Sequence, residues 1–226
     1  MKSIVIVPTS HVAPESLRAV ERVISQERPD CIAVELDINR FMAMESGGAS
    51  SWQAIRQMGV WSFLMFLILR RVQAWLGRRV GVMPGSEMLS AVRIAEQGGI
   101  HVEFIDRDIG ITLQGFRGVP GREKAKLILF LFKGLTLDSI MARLGRAGVA
   151  RLDLRRVPPR KVIEEVLGVM EREFPGIYRT LVTERDAYMA GRLAALSGSF
   201  GKVVAVVGAA HLSGLQRILG QGSGGL

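Results

Sequence analysis

One cysteine, three histidines and two tyrosines in 226 residues leave little material for several familiar chemistries. With Cys31 alone no internal disulfide can form, which excludes a stapled secreted domain. Its place between Asp30 and Ile32, where a strand should begin, makes it a small buried apolar residue. No secretory leader is legible, because MKSIVIVPTSH sets only four apolar residues before Pro8, and a cytoplasmic location is the default expectation. No apolar run reaches the roughly 18 residues that a spanning helix requires. The net charge of +9 would suit nucleic acid or an anionic membrane. Yet zinc knuckles, a helix-turn-helix signature and basic-aromatic ribonucleoprotein motifs are all missing, so no nucleic-acid partner is expected. Most of the arginines read as solvated helix faces.

What is present is an α/β pattern. Four short apolar segments, 4–7, 31–36, 101–105 and 203–207, read as strands, each followed by helix-like sequence. The segment KVVAVVGAAHL (202–212) carries an unbroken β-branched run, a Gly break and then His211. The first eleven residues repeat this arrangement, with Pro8 as the break and His11 three residues on. Two of three histidines thus stand at strand exits, where open α/β sheets collect ligands. Each taken alone reads as a helix cap or turn residue; as a pair they read as one site.

Glu35 falls among apolar residues near the end of CIAVEL (31–36), where a carboxylate needs a partner. It is either bridged to a core-facing Arg or a catalytic or ligand group. HVEFI (101–105) leads at once into Asp106, Arg107 and Asp108, either a functional cluster or a helix-capping Asp with a paired Arg. His101, at the start of that strand, reads as structural. Ser86 is a plausible cap for a helix with Met88, Ala91, Ile94 and Ala95 inward. In the long helix expected over 176–196, Leu181, Arg185, Tyr188 and Arg192 share one face. Residues 1–219 read as a single domain, with helical excursions near 46–80 and 121–160 and a flexible tail over 220–226.

The excursions hold the most apolar sequence, Trp52–Trp75 and Lys124–Leu137. In Trp61–Leu69 only Ser62 is polar. Nine residues of helix span about 13 Å, less than half of a bilayer core. The two stretches are expected to pack together and offer a shared face to a second copy of the chain. Membrane contact through that face, aided by Arg56, Arg70, Arg71, Arg78 and Arg79, is the alternative.

Six blocks in order, PTSHVAPES (8–16), PDCIAVELDINR (29–40), GSEMLSAVRIAEQ (85–97), DRDIGITL (106–113), ERDAYMAGRL (184–193) and VVAVVGAAHLSGL (203–215), resemble the TraB family. Its relatives are the Tiki proteases and erythromycin esterase-like folds. One departure is Pro8, where the family's first GxxH motif has Gly. The resemblance implies a mixed, mainly parallel central sheet with helices on both faces. It implies a metal-dependent hydrolase, a peptidase in some members and an inhibitor of peptide pheromones in others, and full-length relatives with C-terminal membrane helices. By matching motif, His11, Glu35 and His211 would hold a divalent ion (Mn, Co or Zn), with Arg185 and Arg107 counted with Glu35 in the catalytic set and Glu184 and Asp108 behind them. A peptide or small molecule would be the substrate. A non-catalytic protein that sequesters a peptide signal is the alternative, and a metal-free ester- or phosphate-directed enzyme using His11 and Glu35 as a base pair a third.

Overall fold

The computed structural model describes residues 3–10, 14–45, 63, 85–133 and 159–220. Four strands, β1 (Ser3–Thr9), β2 (Cys31–Val34), β3 (His101–Phe104) and β4 (Lys202–Gly208), form a sheet of order β1-β4-β2-β3, parallel at every pairing. The last strand in sequence therefore lies between the first two. That placement brings the segment after β4 between the ends of β1 and β2.

The alternation of β4 explains its central position. Val204 and Val206 face one layer, while Val203, Ala205 and Val207 face the other, and all five are buried. A strand covered on both sides reads as a continuous apolar run. The first layer is supplied by α1 (Pro14–Glu27), through Val20, Val23 and Ile24, and by α3 (Ser86–Gly98), through Met88, Ala91, Val92 and Ala95. Beside them α2 (Ile38–Glu45) sets Phe41 against Phe104, with ring centroids 4.9 Å apart. The second layer is α8 (Glu184–Ser199), through Met189, Ala190, Leu193 and Leu196, with Leu215 of α9 (Leu212–Ile218).

Between β3 and α8 the described elements are α4 (Ile109–Gly115), a 3-10 turn (Phe116–Gly118), α5 (Gly121–Lys133), α6 (Arg160–Glu173) and α7 (Pro175–Tyr178). Leu113, Phe116, Val119 and Ile177 make a third apolar cluster there, with Leu127 and Phe63 packed on it. Phe63 is helical and is the described residue of Trp52–Trp75; the rest of that stretch, 134–158 and the tail from 221 lie outside the described residues. Among the described residues no helix is long and apolar enough to cross a membrane.

Two local expectations are corrected. Pro8 does not end β1, which continues to Thr9 in register with Gly208. An edge strand tolerates a residue without an N–H. Ser86 does not cap α3 either: Gly85, at φ 87°, takes that position without a side-chain cap, and the buried Ser86 hydroxyl has no hydrogen-bond partner among the described residues. A left-handed backbone suits Gly far better than Ser.

Candidate functional site

The carboxyl ends of β2 and β4 meet over Glu35, which is 2% exposed. Its own N–H donates to the Val206 carbonyl at 3.0 Å, continuing the ladder past β2. Its Oε2 accepts from the Gly208 N–H at 2.6 Å, and its Oε1 faces Nε2 of His211 at 3.2 Å. The same Oε1 receives Nη2 of Arg185. Glu35 thus bridges the two central strands and meets both a histidine and an arginine.

Arg185 reaches this point from the first turn of α8. Its Nε and Nη2 grip Asp106 in two-point contact, at 3.0 and 2.8 Å, while Nη1 lies 3.1 Å from His211 Nε2 and 3.4 Å from the Leu181 carbonyl. Arg40 also reaches Asp106, at 3.3 Å. Two buried carboxylates around it hold the Arg185 guanidinium firmly in its charged form against the cost of burial.

His211 is fixed from behind. Its Nδ1 lies 2.5 Å from Oδ1 of Asp186, a buried residue of α8. Burial alone would lower the imidazole's pKa, but Glu35 and Asp186 overcome it and push it up to about 9. When protonated, the ring donates to both carboxylates. When neutral with its proton on Nδ1, it leaves Nε2 as an acceptor toward Arg185 or a metal ion. Across α9, an added Cβ at Gly214 would lie 1.9 Å from Asp186 Oδ2, so the second helix must be bare there for the carboxylate to fit.

Of the expected site residues, the fold brings Glu35, Arg185 and His211 into direct contact. His11 lies outside the described residues. Arg107 has a separate set of partners: Nε to Thr112 at 2.9 Å, Nη1 to Glu184 at 3.0 Å and Nη2 to the Thr180 carbonyl at 2.7 Å. Thr180 belongs to a π-helical turn, Arg179–Thr183, that joins α7 to α8. Such turns disturb the regular ladder and often mark functional sites. Arg107 and Arg185 both take carbonyls from it. Asp108 caps α4, its Oδ1 accepting from Gly110 N at 2.6 Å. His101 stands half a sheet away at the start of β3, paired with Glu103 and stacked on Phe200. Cys31 is fully buried, and desolvation first, then Glu103 and Asp30, push its thiol up to about 12.

Asp186 and Asp106 are the participants whose roles sequence reasoning did not assign. The signal for Asp186 was present: Met189, Ala190 and Leu193 follow at three, four and seven residues, so Asp186 continues the apolar stripe of α8. A carboxylate on a buried stripe demands a partner.

The donor set suits a divalent ion in part. Imidazole and carboxylate are proper ligands, and a carboxylate on the far ring nitrogen is the usual support of a metal-binding histidine. Among the described residues, however, no three His, Cys, Asp or Glu side chains are grouped so that they could hold a metal ion.

The TraB/PrgY/gumN family model matches residues 1–221. An uncharacterized protein of Methanocaldococcus jannaschii is 34% identical over 224 residues, covering 96% of this chain and 53% of that protein. TraB domain-containing proteins of Bos taurus and Homo sapiens are 29% and 27% identical over 248 residues, covering 94% of this chain and 61% of each. The chain thus spans between half and two thirds of the length of these relatives.

Proposed function

The chain belongs to the TraB/PrgY/gumN family, and from that premise we propose that it is a divalent-metal-dependent hydrolase acting on a peptide bond. The observation that carries the reading is the pair Glu35 Oε1 and His211 Nε2, 3.2 Å apart at the ends of adjacent central strands, with Asp186 behind the ring. Glu35 and His211, with His11 as the third, are the residues that would hold the ion. When bound, the ion would acidify a water and polarise a carbonyl. Asp186 would hold His211 in the tautomer with Nε2 free. Gly208 N–H would orient Glu35 through Oε2, and Arg185 would steady it through Oε1. Arg185, positioned by Asp106, would meet the oxyanion that develops on the attacked carbonyl. Arg107 would act through Glu184 and the π-turn, setting the start of α8 from which Arg185 projects.

Calorimetry with Mn and Zn tests the site. Wild type should bind, and His211→Ala should not. Unchanged affinity in that variant overturns the assignment, and peptide hydrolysis that survives chelation overturns the metal requirement.

One observation favours a second reading. Arg185, Arg40 and a protonated His211 together offset Glu35, Asp106 and Asp186, so the charges are balanced without a metal. That suits a non-catalytic protein that sequesters a peptide signal. Peptide binding without hydrolysis under any metal would select it.

A further inference from the structure

We propose that the acidic cleft beside Arg185 is a subsite for an ammonium group of a peptide ligand, an inference that rests on the peptide-hydrolase reading for the class of ligand. The cleft, about 360 Å³, opens at the carboxyl ends of β2 and β3 and is lined by Asp37, Glu103, Asp106, Asp108, Tyr188 and Arg192, among others. Asp106 is its link to the site, because the same carboxylate is gripped by Arg185.

The charges lining it do not cancel. Glu103 is matched by Arg192 at 2.8 Å, and Asp106 by Arg185 and Arg40. Among the described residues Asp108 meets only neutral donors, the Gly110 N–H and Asn39 Nδ2 at 2.8 Å. Asp37 accepts the Arg40 backbone N–H on Oδ1 at 3.0 Å, but its Oδ2 has no hydrogen-bond partner among the described residues. Arg40 Nε stands 4.0 Å from that oxygen, beyond hydrogen-bond reach. Asp37 is only 5% exposed, so this missing bond is costly. A cation donating to Asp37 and Asp108 would satisfy both. In a chain of net charge +9, a cleft whose Asp108 has no cationic partner among the described residues, and whose Asp37 has only the distant Arg40, is a local inversion that selects for such a ligand.

Its shape argues for an ammonium rather than a metal ion. The four carboxylates are spread around the cleft, and no three acidic or histidine groups among the described residues could hold an ion together. Tyr188, 44% exposed, also lines the cleft, and aromatic side chains attract organic cations. Arg185, Tyr188 and Arg192 lie along one face of α8, so a peptide crossing that face would meet the hydrolytic centre and the acidic cleft in turn.

The probe is a fluorophore-tagged tetrapeptide with a free amino terminus and one Lys, followed by anisotropy in the presence of EDTA. Three twins accompany it: amino-acetylated, Lys replaced by norleucine, and both changes together. The parent should bind at least about tenfold tighter than the doubly neutral twin, with the preference weakening as salt rises. Whichever single change removes the preference identifies the ammonium as terminal or side-chain. Asp37→Asn with Asp108→Asn should abolish it; Asn still caps α4 and still accepts the Arg40 N–H, and circular dichroism checks the fold. Equal affinity for the doubly neutral twin, a preference retained by the double variant, or no binding of any probe by folded wild type overturns the proposal. Because the readout needs neither metal nor turnover, failure of the hydrolase reading leaves it intact. Conversely, hydrolysis without charge preference removes the subsite alone.

Discussion

At Gly214 a single methyl group probes the site. An Ala there would place its Cβ 1.9 Å from Asp186 Oδ2, and neither the carboxylate held on the His211 ring nor a packed helix can yield that far without moving His211. Gly214→Ala should cost about 1–3 kcal/mol, the range of overpacked cores, and should lower metal affinity. Gly191→Ala is the control: nothing lies within 4 Å of the added carbon, and the helix should gain up to about 1 kcal/mol. Equal denaturation midpoints for the two variants would refute the contact. Arg185 makes the complementary point about charge. Arg185→Met should cost about 3–5 kcal/mol, because Glu35 and Asp106 stay buried with only His211 and the partly exposed Arg40 to offset them. Arg185→Lys keeps the charge but loses the planar fork that holds Asp106 at two points, and should fall between wild type and Met in urea titrations. His211 sets a pH window. Its folded pKa of about 9 lies above the ordinary value near 6.5, so its contribution is complete below about 6.5 and is lost as pH rises through 9. In EDTA, stability should drop by on the order of 3 kcal/mol across that window. His211→Asn should show no such slope.

At the scale of elements, charged side chains reach across the chain to hold helix starts that could not hold themselves. Glu123 of α5 is buried, and its Oε2 accepts the N–H groups of Gly176 and Ile177 at 2.8 and 3.4 Å, closing the free amino end of α7. Glu123→Ala should therefore cost about 1–3 kcal/mol, and hydrogen exchange should quicken at Gly176 and Ile177 before the sheet is affected. Uniform exchange across the molecule would instead make Glu123 part of the global core. Asp108 caps α4 as one of the sequence alternatives allowed, whereas Glu123 was invisible. A cap two residues from the N–H it accepts is a local pattern; one 53 residues away is not. The π-turn was invisible for the same reason. Residues 176–196 read as one helix, and the ladder changes where the side chains of Arg107 and Arg185 donate to the Thr180 and Leu181 carbonyls.

For the whole molecule, the apolar sequences carry the remaining prediction. Among the described residues, Phe63 and Leu127 pack on the cluster around Phe116, while Leu129 is 52% exposed. We expect the wild type to sediment as a dimer and Leu64→Glu as a monomer. A monomeric wild type that also ignores anionic liposomes would return both stretches to the core. The sequence by itself determined the α/β class, the four strands, the inward face of α3, and the places of Glu35 and His211 at strand ends. Those features depend on periodicity and on a charge stranded in an apolar run, both of which are local. Only the tertiary structure decided that β4 inserts between β1 and β2, and that insertion is what sets Glu35 against His211. It alone chose Asp186 over Glu184 to hold the ring and Asp106 over Asp108 to hold Arg185. Neighbouring acids in a chain look alike, and which one is buried depends on the rotation of a helix or the exit of a strand, fixed by packing against the sheet.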